Sequence, residues 1–176
     1  MEIIPVDFDW TKKGTIFQLL KYPKIESLQS FHDGLFYIQD PSTLLSVSFL
    51  NLQSGQKILD LCAAPGGKTC LIADLINNQG EITSTDINEV RLKLLQENCK
   101  RLKITCVKTG LTENLLNDNK KFDRVLVDAP CTNSGVIRRR LDLRWRKTFE
   151  EKKQLTKLQL QLLEKAAKHT EQNGII

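Results

Sequence analysis

Long apolar stretches are missing from this chain. The longest runs, such as residues 16–20 and 43–50, are short or interrupted by hydroxyl side chains. Neither a membrane span nor the apolar region of a secretory signal is therefore present. Paired cysteine spacing is missing too: five cysteines, an odd number, stand singly from Cys62 to Cys131. That spacing argues against a zinc site and against a disulfide framework. The two absences predict a soluble, cytoplasmic protein with reduced thiols and no metal. Cys70, Cys99 and Cys106 fall at apolar positions of expected helices and a strand, where a thiol acts as a small hydrophobe. A disordered or fibrous bias is lacking as well. With 176 residues, 40% apolar and 27% charged, the chain can bury one full hydrophobic core.

Net positive charge is confined to one place. Residues 138–168 hold eleven Lys or Arg against four Asp or Glu, while the chain as a whole carries only +5, so the remainder is slightly acidic. A basic segment of this kind fits a polyanion partner, or else the solvated face of a helix.

Residues 1–30 show no clear periodicity and receive no fold assignment. The stretch "FHDGLFYIQDP" reads as a turn at His32 and Gly34 feeding a short strand, and "PSTLLSVSFL" as a helix ending before Ser54 and Gly55. Beyond it, strands and helices alternate. Strands are expected at 56–61, 81–85, 104–108 and 122–127. Helices are expected from Gly67 or Lys68 to Ile76 and over 88–101, the latter with Val90, Leu94 and Leu95 on its apolar face. A long helix starts at Thr148 with Glu151 in the capping-box position and Leu155, Leu158, Leu162 and Ala166 along one side. Asn173 and Gly174 are expected to stop it. Ile175 and Ile176 then read as the start of a fifth strand, which predicts a fragment cut within its domain. The alternation means right-handed crossovers, hence an α/β fold with a mostly parallel sheet and helices on both faces.

The stretch "LDLCAAPGGKT" could serve two ligands. A triphosphate loop needs a glycine five positions before Gly67, and Cys62 stands there instead. The apolar "RVLVDAP" with its terminal acid keeps an NTPase open as the lesser alternative. The other reading takes the strand ends together, because open parallel sheets bind ligands beyond the carboxyl ends of their strands. Asp60, Asp86 and Asp128 close three of them. Asp86 follows Gly67 by nineteen residues, about the interval at which such folds place an acid on the ribose hydroxyls of a nucleoside cofactor.

"DLCAAPGGKT", the "TD" of Thr85 and Asp86, "DAPCTNSGVIRRRLDLRW" and the upstream "GLFYIQDPST" together resemble the RNA (cytosine-5)-methyltransferases of the RsmB/Sun (NOP) type. The resemblance runs from about Phe31 to Ile176. It implies a Rossmann-like class I methyltransferase fold, S-adenosylmethionine as cofactor and RNA, ribosomal by preference, as partner. Residues 31–176 would be the methyltransferase domain and 1–30 a linker or the tail of an upstream RNA-binding module. Cys62, Ala63, Ala64, Pro65, Gly66, Gly67 and Lys68 would hold the methionine end of the cofactor. Asp86 would hold the ribose, and Asp128 would lie beside the reacting groups.

Carbon 5 of cytosine is a poor nucleophile, so a thiolate must first add to carbon 6. Cys131 is the cysteine placed for that chemistry. The resemblance gives it an assisting role in product release and assigns the attack to a Thr-Cys pair expected beyond Ile176. In related DNA enzymes the cysteine matching Cys131 attacks. Arg138, Arg139, Arg140 and Arg144 would clamp RNA phosphates around an extruded base. One departure stands out: where the family places an acid for the adenine amine, this chain has Leu111. A non-catalytic RNA-binding remnant is the third reading.

Overall fold

The computed structural model describes residues 2–11, 13–116, 120–133, 135 and 149–176. Residues 1–30, which the sequence left unassigned, open with an antiparallel pair, β1 (Glu2–Pro5) and β2 (Phe17–Lys21). This pair forms a sheet of its own. Between its strands Phe8 and Trp10 stack at 4.9 Å.

A short helix α1 (Gln29–His32) and helix α2 (Ser42–Ser48) follow. The segment between them is not the expected strand. The Arg101 guanidinium donates to the carbonyls of Phe31 and Phe36 at 2.9 and 3.0 Å and lies 4.0 Å over the Phe31 ring. A side chain thus satisfies backbone that a neighbouring strand would otherwise pair. Gly34 makes the approach possible: it has φ +74°, and a methyl group there would stand 1.9 Å from the Arg101 carbonyl oxygen.

The main sheet contains β3 (Lys57–Leu61), β4 (Glu81–Asp86), β5 (Val107–Leu111), β6 (Phe122–Val127) and β7 (Thr170–Ile175). Its order is β5-β4-β3-β6-β7, every neighbouring pair parallel. Between the strands run α3 (Gly67–Leu75), α4 (Glu89–Arg101), the single-turn α5 (Thr112–Leu115) and the long α6 (Phe149–His169). Strand alternation sends β3 side chains to opposite faces. Ile58 packs with Val47, Ile72 and Ala73 of α2 and α3, whereas Leu59 and Leu61 pack with Phe122, Val125 and Ala166 of α6. Helices therefore cover both faces, as a parallel sheet requires.

Two element boundaries and two helix faces differ from expectation. The apolar face of α4 runs through Leu92, Leu95 and Cys99, and of the expected trio only Leu95 is buried; Val90 is 71% exposed. Strand β5 begins at Val107 instead of residue 104. Lys103 leaves α4 with φ +58°, and the Asn78 side-chain oxygen accepts the amides of Thr105 and Cys106 at 3.0 and 3.1 Å, so pairing with β4 starts only at the Cys106 carbonyl, which accepts the Ile82 amide at 2.9 Å. Leu158 on α6 is exposed. Finally, α6 ends at His169, not at Asn173 and Gly174, and the fifth strand begins at Thr170. The buried His169 ring is tied to the Lys120 carbonyl at 2.8 Å, turning the chain early. Asn173, with φ +67°, and Gly174 fall where the β6–β7 register shifts. They shape an irregularity inside the strand.

Candidate functional site

Three neighbouring strands, β4, β3 and β6, bring their carboxyl ends to one edge. The chain leaves β3 through Cys62, whose φ of +60° makes the tight bend for which glycine is the usual residue. Ala63 donates its amide to the Thr85 carbonyl at 2.9 Å, and Gly66, with φ +105°, accepts from Cys70 at 2.8 Å to open α3. No room exists for larger residues here. A methyl group on Gly66 would stand 2.8 Å from Leu95 Cγ, and one on Gly67 3.0 Å from the Gln39 side-chain oxygen and 3.1 Å from the Tyr37 ring. The "FYIQ" stretch thus lies against the glycine turn. Its resemblance to the family's glycine-aromatic stretch was the sequence signal for this.

The three acids differ in what they offer. Asp60 is wholly buried, its Oδ2 accepting the Thr69 hydroxyl at 2.6 Å and its Oδ1 without a partner. Burial pushes its carboxyl up to about 7, with the Thr69 hydrogen bond opposing. Asp60 is a support beneath the turn, not a group on the ligand edge. Asp86 is 2% exposed. Its Oδ2 accepts the Ala64 amide at 3.2 Å and faces Arg91 Nη1 at 3.6 Å, while Oδ1 accepts the Asn88 amide at 2.9 Å. Asp128 is half exposed and pairs with Lys68 Nζ at 2.5 Å. The lysine of "GGKT" is therefore committed to a carboxylate.

Cys62 is half buried, and burial together with the charges of Asp86, Asp60 and Asp128 pushes its thiol up to about 11. It stays protonated at neutral pH. Cys70 and Cys99 are buried side by side in the α3–α4 core, in keeping with their reading as small hydrophobes. Cys131 is exposed beyond β6, where its sulfur accepts the Asn133 amide at 3.3 Å. Pro130 before it is held through its carbonyl by Gln159 of α6 at 2.8 Å. Leu111 ends β5 directly beside Asp86 in the parallel register. Arg138, Arg139, Arg140 and Arg144 lie outside the described residues. No group of metal-binding side chains occurs among the described residues.

Arg91 is the residue that sequence reasoning missed. Its guanidinium reaches back to donate to the Ala64 carbonyl as well as facing Asp86. The signal was its place on the first turn of α4, beside the strand-end acid.

A profile of the family described as 16S rRNA methyltransferase RsmB/F matches residues 47–176. The probable ribosomal RNA small subunit methyltransferase B of Bacillus subtilis (strain 168) is 38% identical over 154 residues, covering 83% of this chain and 34% of its own. A methyltransferase homolog protein from Pyrococcus horikoshii superposes with a TM-score of 0.81 at 31% identity, over 98% of this chain and 55% of that one. NSun6 from Pyrococcus horikoshii, solved with SFG, gives 0.76 at 32% identity, over 90% of this chain and 41% of that one. The chain spans 34% and 39% of the lengths of two such curated relatives. The profile takes in the whole five-stranded sheet, the glycine turn and the acids that close its strands. This chain belongs to the 16S rRNA methyltransferase RsmB/F family.

Proposed function

We propose that residues 31–176 form the cofactor-binding part of an enzyme that transfers a methyl group from S-adenosylmethionine to carbon 5 of cytosine in ribosomal RNA. Residues 1–30 are, on this reading, a linker or the tail of an upstream RNA-binding module. The observation that carries it is the juxtaposition of the glycine turn, Asp86 and Asp128 at three adjacent strand ends. The names of the family and of the Bacillus subtilis relative support ribosomal RNA as the substrate.

The donor set fits that cofactor better than a nucleoside triphosphate. Carboxylates suit a molecule bearing a ribose, an ammonium and a sulfonium, whereas they repel a polyphosphate unless a metal intervenes. Lys68, already paired with Asp128, is not a free phosphate ligand. When bound, the cofactor supplies an electrophilic methyl group. In the turn from Cys62 to Lys68 the amides of Ala63, Ala64 and Gly66 go to Thr85, Asp86 and Ala63 and Pro65 has none, so those of Cys62, Gly67 and Lys68 would hold its amino-acid end. Asp128, half exposed, faces the reacting groups. Cys131, exposed with its sulfur accepting the Asn133 amide, stands where a thiol can act on carbon 6 of the cytosine or assist release. Arg138, Arg139, Arg140 and Arg144 clamp the flanking phosphates.

Calorimetric titration distinguishes the readings. S-adenosylmethionine is expected to bind with Kd in the micromolar range, about −8 kcal/mol, and ATP with magnesium to give no heat. The reverse pattern would establish the NTPase, and binding of RNA alone the non-catalytic remnant.

Leu111 makes a second expectation. Beside Asp86 at the end of β5 it offers nothing to the adenine amine. Leu111→Asp is expected to tighten cofactor binding by about 1 kcal/mol, the worth of one added hydrogen bond. Unchanged affinity in the same titration would mean that the amine is met elsewhere.

A further inference from the structure

Cys70 of α3 and Cys99 of α4 are free thiols in one buried cluster, 5% and 7% exposed. They are hydrogen-bonded to each other, Cys70 donating and Cys99 accepting. Close packing accounts for two small apolar groups at this place, but not for the opening beside one of them. A cavity of about 460 Å³ lies between α4 and the start of β5, and Cys99 lines it together with Gln96, Lys100, Lys103, Ile104 and Thr105. It opens by the C-terminal half of α4, away from the strand-end edge. Cys70 does not line it. A small molecule from solvent therefore meets Cys99 first and reaches Cys70 only through it.

The two thiols are also chemically unequal. The hydrogen bond from Cys70 lowers the Cys99 thiol against the effect of burial, while the same bond and burial push Cys70 up. Cys62 and Cys106 are both pushed up, with burial the main cause. Thiolate character and access decide which cysteine a peroxide oxidises, and Cys99 combines the two within the core. A second thiol in contact with it is placed to resolve the product, since a disulfide needs its two sulfurs brought together.

We propose that Cys99 and Cys70 form a reversible oxidation site, in which a hydroperoxide entering the cavity converts Cys99 to a sulfenic acid and Cys70 closes it to a disulfide. In the first step Cys99 Sγ bonds to one peroxide oxygen as the O–O bond breaks. Two electrons pass from sulfur to the peroxide, and the other oxygen leaves as water or an alcohol, taking the Cys99 proton. In the second step Cys70 Sγ bonds to Cys99 Sγ as the S–O bond breaks, and the hydroxyl leaves as water with the Cys70 proton. The new bond staples the two helices that shape the glycine turn. Helix α3 opens from Gly66, and α4 sets Leu95 against that glycine and donates from Asn98 to the Pro65 carbonyl at 3.1 Å.

The test exposes the reduced, folded chain to a small excess of hydrogen peroxide, alkylates the remaining thiols, digests with trypsin and maps the peptides by mass spectrometry. A disulfide joining residues 69–91 to residues 94–100 is expected, with Cys106 still alkylated. The linked chain should melt about 4–16 °C higher, and dithiothreitol should reverse the rise. Cys70→Ser is expected to stop at a sulfenic acid on Cys99, trapped by dimedone, and Cys99→Ser to leave Cys70 unmodified. Full alkylation of both thiols after peroxide, a link from Cys99 to Cys106, or a link that forms only in urea would each overturn the proposal. Dimedone on Cys70 in Cys99→Ser would overturn the order of attack, and an unchanged melting temperature would overturn the staple. Should a serine variant not fold, the wild-type peptide map and its melts decide.

Discussion

Asp86→Ala is expected to abolish measurable binding of S-adenosylmethionine and to lower the thermal midpoint together. The carboxylate is one junction of the site: it accepts the Ala64 and Asn88 amides and faces the Arg91 guanidinium. Truncation leaves two amides without their acceptor in a region that is 2% exposed, and a half-exposed guanidinium without its counter-ion. A buried polar group left unpaired costs about 1–3 kcal/mol, so the fold should lose roughly 2–4 kcal/mol. For a chain of this size that corresponds to a drop of about 4–16 °C in Tm. Affinity falls by more than the ribose contact alone, because Ala64 belongs to the turn that holds the other end of the cofactor. Asp86→Asn separates the two effects. Its side-chain oxygen can still accept one amide, so stability should partly return while the attraction for Arg91 does not. Calorimetry and thermal melts on both variants check this. An Asp86→Ala protein that binds the cofactor as wild type does would remove Asp86, and the site with it, from the account.

The sheet was legible because its signals are local. Strands β3 and β6 are short and largely apolar, β4 is rich in β-branched residues, each has an acid at or next to its end, and their ends fall within a residue of expectation. What the sequence hid arises from contacts between distant residues. Arg101 reaches seventy positions back to Phe31 and so turns an apparent strand into a strap. Asn78 captures residues 105 and 106 and delays β5, and His169 closes α6 one turn early. None of these side chains carries a pattern. The same holds in the site. "CAAPGG" announces a close backbone approach, and Asp86 and Asp128 announce themselves by position. Their partners do not: Lys68 looks like a phosphate ligand until Asp128 is seen at 2.5 Å, and Arg91 looks like an ordinary helix-face residue. Asp60, read as one of three acids converging on a ligand, is as buried as Asp86 and differs in its partner: it accepts the Thr69 hydroxyl of α3, whereas Asp86 accepts the Ala64 and Asn88 amides. That partner depends on how α3 sits over β3, which spacing along the chain does not encode.

The burial of Asp60 has a consequence for pH. In the folded chain its carboxyl titrates near 7, raised by desolvation from an ordinary value of 3.8. A group whose pKa is raised by folding adds stability that is complete below its unfolded value and is lost as pH climbs through its folded one. Over that window the unfolded chain releases a proton that the native chain keeps. Between pH 5 and pH 8 the loss comes to about 2–3 kcal/mol. Asp60→Asn removes the titration while its side-chain oxygen can still accept the Thr69 hydroxyl. Its new amide group lies where Asp60 Oδ1 has no partner, which costs about 1–3 kcal/mol at every pH. The variant is therefore expected to be less stable than wild type at pH 5 and to match or overtake it by pH 8, the gap moving by about 2–3 kcal/mol in urea melts. All other titrating groups are shared by the two proteins and cancel in the difference. Parallel stability curves over that range would mean that Asp60 is already ionised in the fold at pH 5, held so by Lys68 nearby, and that the turn rests on a charge instead of on a protonated acid.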